Sequence, residues 1–221
     1  NSLSGTGTLV SMSADTNDYK WQYINQANQS ISIMFGDNSF YNERANSAIS
    51  NVFTQVGVWY HVAVTVDMTQ SAGNRIFIYI NGVRYTPGFN EDTGNPFYDG
   101  SDLNLYIGAW NQGGGMTSYT DGSFDDVRIY NRALSTSDVL TLYRFGQATR
   151  KTVSNNGLDG HWTFNEGTST KAHDFSGNGN TGTLVADPTW SAGKRGKSLL
   201  FNGSTQTVSV PYSTTLDPTS Q

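Results

Sequence analysis

Polar and apolar residues alternate in short runs along most of this chain, and this alternation limits the possible folds more than any other feature. Examples are residues 8–13, 59–67 and 103–108. A period of two residues is typical of strands with one buried face, so the chain is predicted to consist of antiparallel sheets. The 24 glycines and the charged fraction of only 14% indicate many short strands joined by tight turns. The predicted fold class is an all-β antiparallel sandwich with one short helix.

Two local elements can be predicted in more detail. In residues 75–85, the pair Asn81-Gly82 separates two β-rich segments, and this pair tolerates the positive φ angles of a type I′ hairpin turn. A helix is predicted at residues 135–144, because Ser135 can cap its start and Asp138 faces the positive end of its dipole.

The composition excludes several classes of partner and site. The net charge is −5 and the isoelectric point is near 5.0, so no nucleic-acid partner is expected. There is no cysteine, which excludes disulfides and thiolate metal sites. No apolar run approaches the roughly 18 residues that a membrane helix needs, so no membrane insertion is expected. The chain starts at Asn1 and is interpreted as a mature or excised piece of a longer polypeptide.

The order of the sequence blocks is unusual. Residues 1–146 close with a strand and a short helix, residues 147–156 read as a polar linker, and residues 157–221 then begin with GLDGHWTFNEG. The first block contains WYHVAVTVD, RIFIYINGVRY and GSFDDVRIYNRALSTSDVLTLY, and it resembles the later strands and closing helix of a known family. That family is the laminin G-like domains, concanavalin A-like lectin/glucanase jelly rolls of bacterial extracellular proteins. The second block, with HDFSGNGNTGTL and GKRGKSLLFNGS, is similar to the opening strands of the same family.

The resemblance implies a jelly roll whose blocks stand in circularly rotated order, as in a cut through a tandem array. It also implies that an apolar strand normally found between the blocks is missing. Two arrangements remain open. Residues 157–221 either fold back onto residues 1–146 as one sandwich, which we expect, or complete a neighbouring copy.

Two loops combine aromatic side chains with groups that bond to sugar hydroxyls. Long glycine-rich loops on a rigid scaffold commonly carry function. The alternative is that the first tryptophan of these loops packs into the rim of the sandwich while the polar residues are only solvated. The predicted carbohydrate-binding residues are Tyr98, Asp99, Trp110, Asn111, Gln112, Tyr119 and Asp121.

A calcium site is also predicted. The loop at residues 174–182 offers hard oxygen ligands, and its glycines let backbone carbonyls converge. Asp125 shares a predicted strand face with apolar residues and therefore needs a partner; the resemblance implies that the loop lies near it. Alternatively, Asp125 accepts backbone N–H groups and the loop is a series of Asx turns. The predicted calcium ligands are Asp125, Asp174, Ser176, Asn178 and Asn180.

Catalysis is not expected. Sugar-cleaving enzymes of this fold carry carboxylates close together on one strand face, whereas Asp125 and Asp126 are adjacent and are predicted on opposite faces. The three histidines, His61, His161 and His173, are scattered, and His61 is interpreted as structural.

The predicted function is a non-catalytic, calcium-dependent module of a larger protein, located outside the cell or on its surface, that binds a glycan or another surface ligand. The alternative is a structural repeat of an adhesin, surface layer or filament that associates head to tail with neighbouring copies.

Overall fold

A computed structural model describes residues 7–13, 19–26, 30–36, 47–71, 73–85, 103–112, 115–145 and 154–217. Within these residues the chain forms eighteen strands and a single helix. The strands before the helix are β1 (Gly7–Ser13), β2 (Tyr19–Gln26), β3 (Ser30–Gly36), β4 (Ser47–Ile49), β5 (Val62–Val66), β6 (Ile76–Ile80), β7 (Val83–Tyr85), β8 (Asn104–Ile107), β9 (Trp110–Gln112), β10 (Gly115–Thr117), β11 (Asp121–Phe124) and β12 (Val127–Tyr130). The remaining elements are α1 (Thr136–Phe145), β13 (Leu158–Trp162), β14 (Lys171–Ala172), β15 (Gly182–Val185), β16 (Thr189–Ala192), β17 (Lys197–Asn202) and β18 (Thr207–Val210).

One layer of the fold is a single eight-stranded sheet with the order β14-β15-β18-β8-β1-β2-β3-β4. All of its strand pairs are antiparallel. The other sheets include two of three strands, β5-β6-β7 and β11-β17-β16, and the pair β12-β13. A two-stranded hairpin, β9-β10, completes the described strands.

The hydrophobic core contains side chains from both the large sheet and the smaller ones. Met12 and Ile107 come from the large sheet, while Ile78, Trp162 and Phe201 come from the smaller sheets. Each of these side chains is no more than 1% exposed. An antiparallel sandwich buries one face of each sheet in this way. The predicted all-β sandwich is confirmed.

The block that follows the helix pairs with the block that precedes it, within one chain. β18 pairs with β8, β17 pairs with β11, and β13 pairs with β12. These ladders place residues 158–210 beside residues 104–130. The linker predicted at residues 147–156 lies mostly outside the described residues.

The predicted hairpin and helix are confirmed. Asn81 and Gly82 connect β6 to β7 with φ angles of 52° and 77°, as a type I′ turn requires. At the start of α1, Ser135 Oγ accepts the backbone N–H of Asp138 at 3.2 Å, and Asp138 Oδ2 accepts the backbone N–H of Ser135 at 3.1 Å. This reciprocal pair is a capping box with an aspartate in place of the usual glutamate.

Candidate functional site

A cavity of about 920 Å³ lies between β5 and the broken strand formed by β11 and β12. One side is lined by residues 55–66 and the other by residues 120–134. Leu142 and Tyr143 of α1 also line it, as do Leu9 of β1 and Leu216 near the end of the described chain. The cavity therefore borders both sequence blocks.

Three buried polar side-chain atoms that line this cavity have no hydrogen-bond partner: His61 Nδ1, Asp125 Oδ1 and Tyr130 Oη. Buried polar groups in folded proteins are nearly always hydrogen-bonded, and a buried group without a partner costs about 1–3 kcal/mol. Their concentration on one cavity therefore points to an occupant with donors and acceptors.

Both adjacent aspartates line the cavity, but they do not lie on one continuous strand as predicted. The strand is interrupted between Phe124 and Val127, and Asp126 has a φ angle of 54°. The left-handed backbone breaks the alternation on which the prediction depended.

Asp125 and Asp126 have different electrostatic environments. Burial raises the pKa of Asp125, and the nearby Asp126 raises it further, although the carboxylate oxygen Oδ2 accepts the backbone N–H of Arg195 at 2.8 Å. Burial alone would also raise the pKa of Asp126, but His161 and Arg128 outweigh that effect and lower it. The distances to Asp126 Oδ1 are 2.7 Å from His161 Nε2 and 3.0 Å from Arg128 Nε. Asp126 is thus held as a structural carboxylate.

His61 lies just before β5, where the backbone bonds to the hairpin turn. Its N–H donates to Asn81 Oδ1 at 2.9 Å, and its carbonyl accepts the N–H of Asn81 at 2.8 Å. Burial lowers the pKa of His61, which keeps the ring neutral near pH 7, although the charge of Asp126 opposes this effect. The ring lies 5.8 Å from that of Tyr143, measured between centroids. The backbone of His61 thus connects the start of β5 to the hairpin turn, and the structural role of its ring stays a prediction.

The predicted calcium ligands lie in two different settings. Asp125 faces the turn at residues 193–197, where a Cβ added to Gly193 would lie 2.8 Å from Asp125 Oδ2. Asp174 is instead surrounded by donors of its own loop. Its Oδ1 accepts the N–H groups of His161 at 2.9 Å and Ser176 at 2.8 Å. Its Oδ2 accepts Ser176 Oγ and the Asn180 N–H, both at 2.8 Å.

The other loop residues bond to the backbone of β13. The Asp159 carbonyl accepts Asn178 Nδ2 at 3.1 Å and Asn180 Nδ2 at 2.8 Å. Ser176 Oγ also lies 2.9 Å from this carbonyl, which competes with Asp174 Oδ2 for its single proton. The carbonyl of Asn180 accepts Trp162 Nε1 at 2.8 Å. The described residues contain no cluster of three or more acidic or histidine side chains that could hold a metal ion. The loop therefore has the hydrogen bonds of an Asx-turn series, and the calcium site stays a prediction.

The predicted carbohydrate-binding residues have different surroundings. The predicted long loop contains the β9-β10 hairpin, in which Trp110 pairs with Thr117. Trp110 and Tyr119 are half-buried, whereas Asp121 is exposed at the start of β11. Asn111 is only 5% exposed, and its N–H donates to Ser13 Oγ at 3.2 Å.

The remaining predicted sugar ligands are described only in part. Gln112 is the last residue of β9, and only its backbone is described. Tyr98 and Asp99 lie outside the described residues.

Sequence reasoning missed the cluster of Asp126, Arg128 and His161. Arg128 follows Asp126 by two residues, a spacing that a local search could have found. His161 comes from the second block, and only the β12-β13 ladder, which pairs Arg128 with His161, brings it near.

A model of the concanavalin A-like lectin/glucanases superfamily, of laminin G type, matches residues 1–140. The chain belongs to this superfamily. The match ends within α1, so β13–β18 of this superfamily member lie beyond it.

This chain is also similar to solved structures, one of which comes from an S-layer protein. It is the crystal structure of part of an S-layer domain-containing protein from Clostridium thermocellum, 27% identical, with a TM-score of 0.30. The alignment covers 63% of this chain and 64% of that chain. No curated protein matches the sequence. Among the described residues, no helix is long and apolar enough to cross a membrane.

Proposed function

We propose that this chain is a non-catalytic, extracellular carbohydrate- or surface-binding module of a larger protein. The observation that carries the proposal is the match of residues 1–140 to the lectin/glucanase superfamily. Fold membership alone does not fix function, so the site must supply the rest.

The β9-β10 hairpin is the part of the described surface that suits a sugar. A backbone bond from the Thr120 N–H to the Gly108 carbonyl, at 2.8 Å, closes the hairpin at its base. Trp110 is the first residue of β9, Tyr119 follows the end of β10 by two residues, and Asp121 is the first residue of β11. Aromatic rings beside an exposed carboxylate suit sugar rings, which have apolar faces and hydroxyl edges.

The non-catalytic part of the proposal depends on Asp126. A glycosidase needs one carboxyl group as acid and a second as base or nucleophile. Arg128 and His161 both bond to Asp126, at 3.0 and 2.7 Å, and this engagement favours a structural role.

Calcium dependence is the finer part of the proposal. It is supported by Asp125 Oδ1, which is buried and has no hydrogen-bond partner. A cation at this oxygen would offset the desolvation that raises the pKa of Asp125. We expect Asp125, rather than Asp174, to be the residue through which calcium acts, because four donors already bond to the Asp174 carboxylate.

A glycan array probed with the purified chain tests this function, once with calcium and once with chelator. We expect Trp110→Ala to abolish the signal on the glycans that bind, and Asp125→Asn to remove its calcium dependence. Phe175→Ala is the matched control, since Phe175 is an aromatic residue 57% exposed in the loop at residues 174–182. Absence of binding to any glycan, or equal loss in the control, would contradict the proposal.

A second candidate function is a structural repeat that assembles with neighbouring chains. The observation that favours it is the cavity between β5 and β12, where two strand edges have no pairing partner among the described strands. Open edges pair with other chains unless something covers them. Assembly that depends on concentration and needs no sugar would support this function over glycan binding.

A further inference from the structure

The two strands beside the cavity each have one free edge within the described residues. Among the described strands, β5 pairs only with β6 and β12 pairs only with β13. β11, which continues into β12, is likewise the edge strand of the β11-β17-β16 sheet. The free edges of β5 and of β11-β12 therefore both border the same cavity.

The lining residues show that the cavity follows these edges rather than a face of the sheet. Successive side chains of a strand point to opposite faces, so a pocket on one face contacts every second residue. This cavity is lined by all five residues of β5 and by all residues of β11 and β12. A space that contacts consecutive residues on both sides is a slot between two strands.

The size of the slot matches one strand. A five-residue strand occupies about 800 Å³, taking a rise of ~3.4 Å per residue, ~4.8 Å between strands and ~10 Å between layers. The cavity measures about 920 Å³. Protein interiors are close-packed and rarely hold voids much larger than a water molecule, so an opening of this size is suited to an occupant.

The walls of the slot specify the chemistry of that occupant. Each wall contributes apolar side chains that are partly buried against the core. They are Val62, Val64 and Val66 from β5, and Val127 and Ile129 from β12. The free edges add rows of backbone N–H and C=O groups. An extended peptide presents donors and acceptors at the same repeat on both of its edges, which a sugar does not.

We propose that this cavity accepts an extended peptide strand from another polypeptide, which bridges β5 and β12 by strand addition. The strand carries apolar side chains at alternate positions toward the core and polar side chains between them. Peptide recognition by addition to a sheet edge is a recurring mode, with backbone bonds giving affinity and side-chain pockets giving specificity.

This inference specifies where neighbouring chains would contact each other in the second candidate function, a structural repeat. It does not depend on glycan binding. The two aromatic residues proposed to contact a sugar, Trp110 and Tyr119, do not line the cavity, although Asp121 and Asp125 do. The peptide experiment is therefore done in chelator and without sugar, so that its result tests the slot alone.

Amide hydrogen exchange on the whole chain tests the proposal, with a synthetic peptide of alternating valine and threonine, capped at both ends and as long as β5. We expect the peptide to protect amides of β5 and of β11-β12. The internal control is β7, which is the opposite edge of the β5-β6-β7 sheet and does not line the cavity. The same peptide with proline at alternate positions should protect neither edge, because proline cannot donate to a ladder.

Cross-linking supplies a second measurement, since the chain contains no cysteine. Ala63→Cys places a thiol on β5 in the slot, and Val83→Cys places one on β7, where Val83 is 57% exposed. With a peptide that carries one cysteine, we expect at least about tenfold faster disulfide formation at position 63, which is the effect of ~1.4 kcal/mol of specific binding.

Three results with the peptide alone would overturn the proposal. They are no change in exchange at β5 and β12, equal protection of β7, and equal cross-linking at both positions. Protection of the slot by an oligosaccharide but not by the peptide would also overturn it, and would move the carbohydrate site from the hairpin to the cavity.

Discussion

Replacing Asp174 with asparagine tests whether hydrogen bonds within the loop, rather than a cation, hold residues 174–180 in place. The Asp174 carboxylate accepts four hydrogen bonds, from the N–H groups of His161, Ser176 and Asn180 and from Ser176 Oγ. Asparagine keeps one acceptor oxygen and turns an NH₂ group toward the donors on the other side. One or two bonds are therefore lost.

The expected cost follows from the strength of these bonds. A hydrogen bond to a charged group contributes about 1.5–3 kcal/mol, and partial exposure of Asp174 reduces this, so we expect a loss of about 2–4 kcal/mol. For a chain of this size Tm falls by about 2–4 °C for each kcal/mol, which gives a decrease of roughly 4–16 °C. These donors lower the pKa of Asp174 although burial opposes them. Its contribution is therefore present above the ordinary value of 3.8 and is lost as the pH falls through the lowered pKa.

Thermal and urea unfolding in the presence of chelator measure the effect. Asp187→Asn is the matched control, because Asp187 is exposed and makes the same change of charge; we expect it to alter stability by less than about 0.5 kcal/mol. Equal stability of the two variants would refute the reasoning. So would a loss for Asp174→Asn that appears only with calcium, because the loop would then be held by the metal.

Three further predictions concern the cavity and the turn between β6 and β7. Asp125→Asn should raise the free energy of unfolding at pH 7 in chelator, because the raised pKa of Asp125 means that its ionisation destabilises the fold as the pH rises; urea titrations at two pH values check this. The free energy of unfolding should fall as the pH drops below 6.5, because His61 binds a proton in the unfolded chain but stays neutral in the folded chain, where burial lowers its pKa. His61→Gln should reduce this dependence on pH. Gly82→Ala should cost at least about 1 kcal/mol by thermal unfolding, because its φ is 77° and a Cβ would lie 2.9 Å from Leu140 and Tyr143; an unchanged Tm would contradict the packing at this turn.

The features that could be predicted from the sequence are those with local causes. Asn81 and Gly82 specify a turn by their own backbone preferences. Ser135 and Asp138, which are three residues apart, each accept the other's backbone N–H group at the start of the helix. Alternation predicted the strands for the same reason, since each strand shows its period within a few residues.

The features that failed depend on non-local contacts or on backbone conformation. Alternation through Asp125 and Asp126 assumes a continuous strand, and the positive φ of Asp126 breaks it. The hydrogen bond between Asp126 and His161 spans 35 residues and exists only because β12 and β13 are neighbours. The slot is defined by which strands do not pair, a property of the assembled sheets that no local pattern records.

The loop at residues 174–182 was predicted with two alternatives, and the sequence could not separate them. Aspartate, serine and asparagine oxygens suit either calcium or backbone donors, and the choice depends on what the folded chain brings within reach. In the structure the donors are the N–H groups of His161, Ser176 and Asn180. His161 belongs to β13, outside the loop, so its contribution could not be read from the loop itself.

Light scattering of the purified chain across concentration tests the central claim most directly, namely that the two sequence blocks complete one sandwich within a single molecule. The ladders β18-β8, β17-β11 and β13-β12 predict that the chain reaches a mass of 24.1 kDa on dilution, with or without chelator. A mass that stays at a multiple of 24.1 kDa at the lowest concentrations would contradict the claim, because the second block would then be pairing stably with the first block of a neighbouring chain.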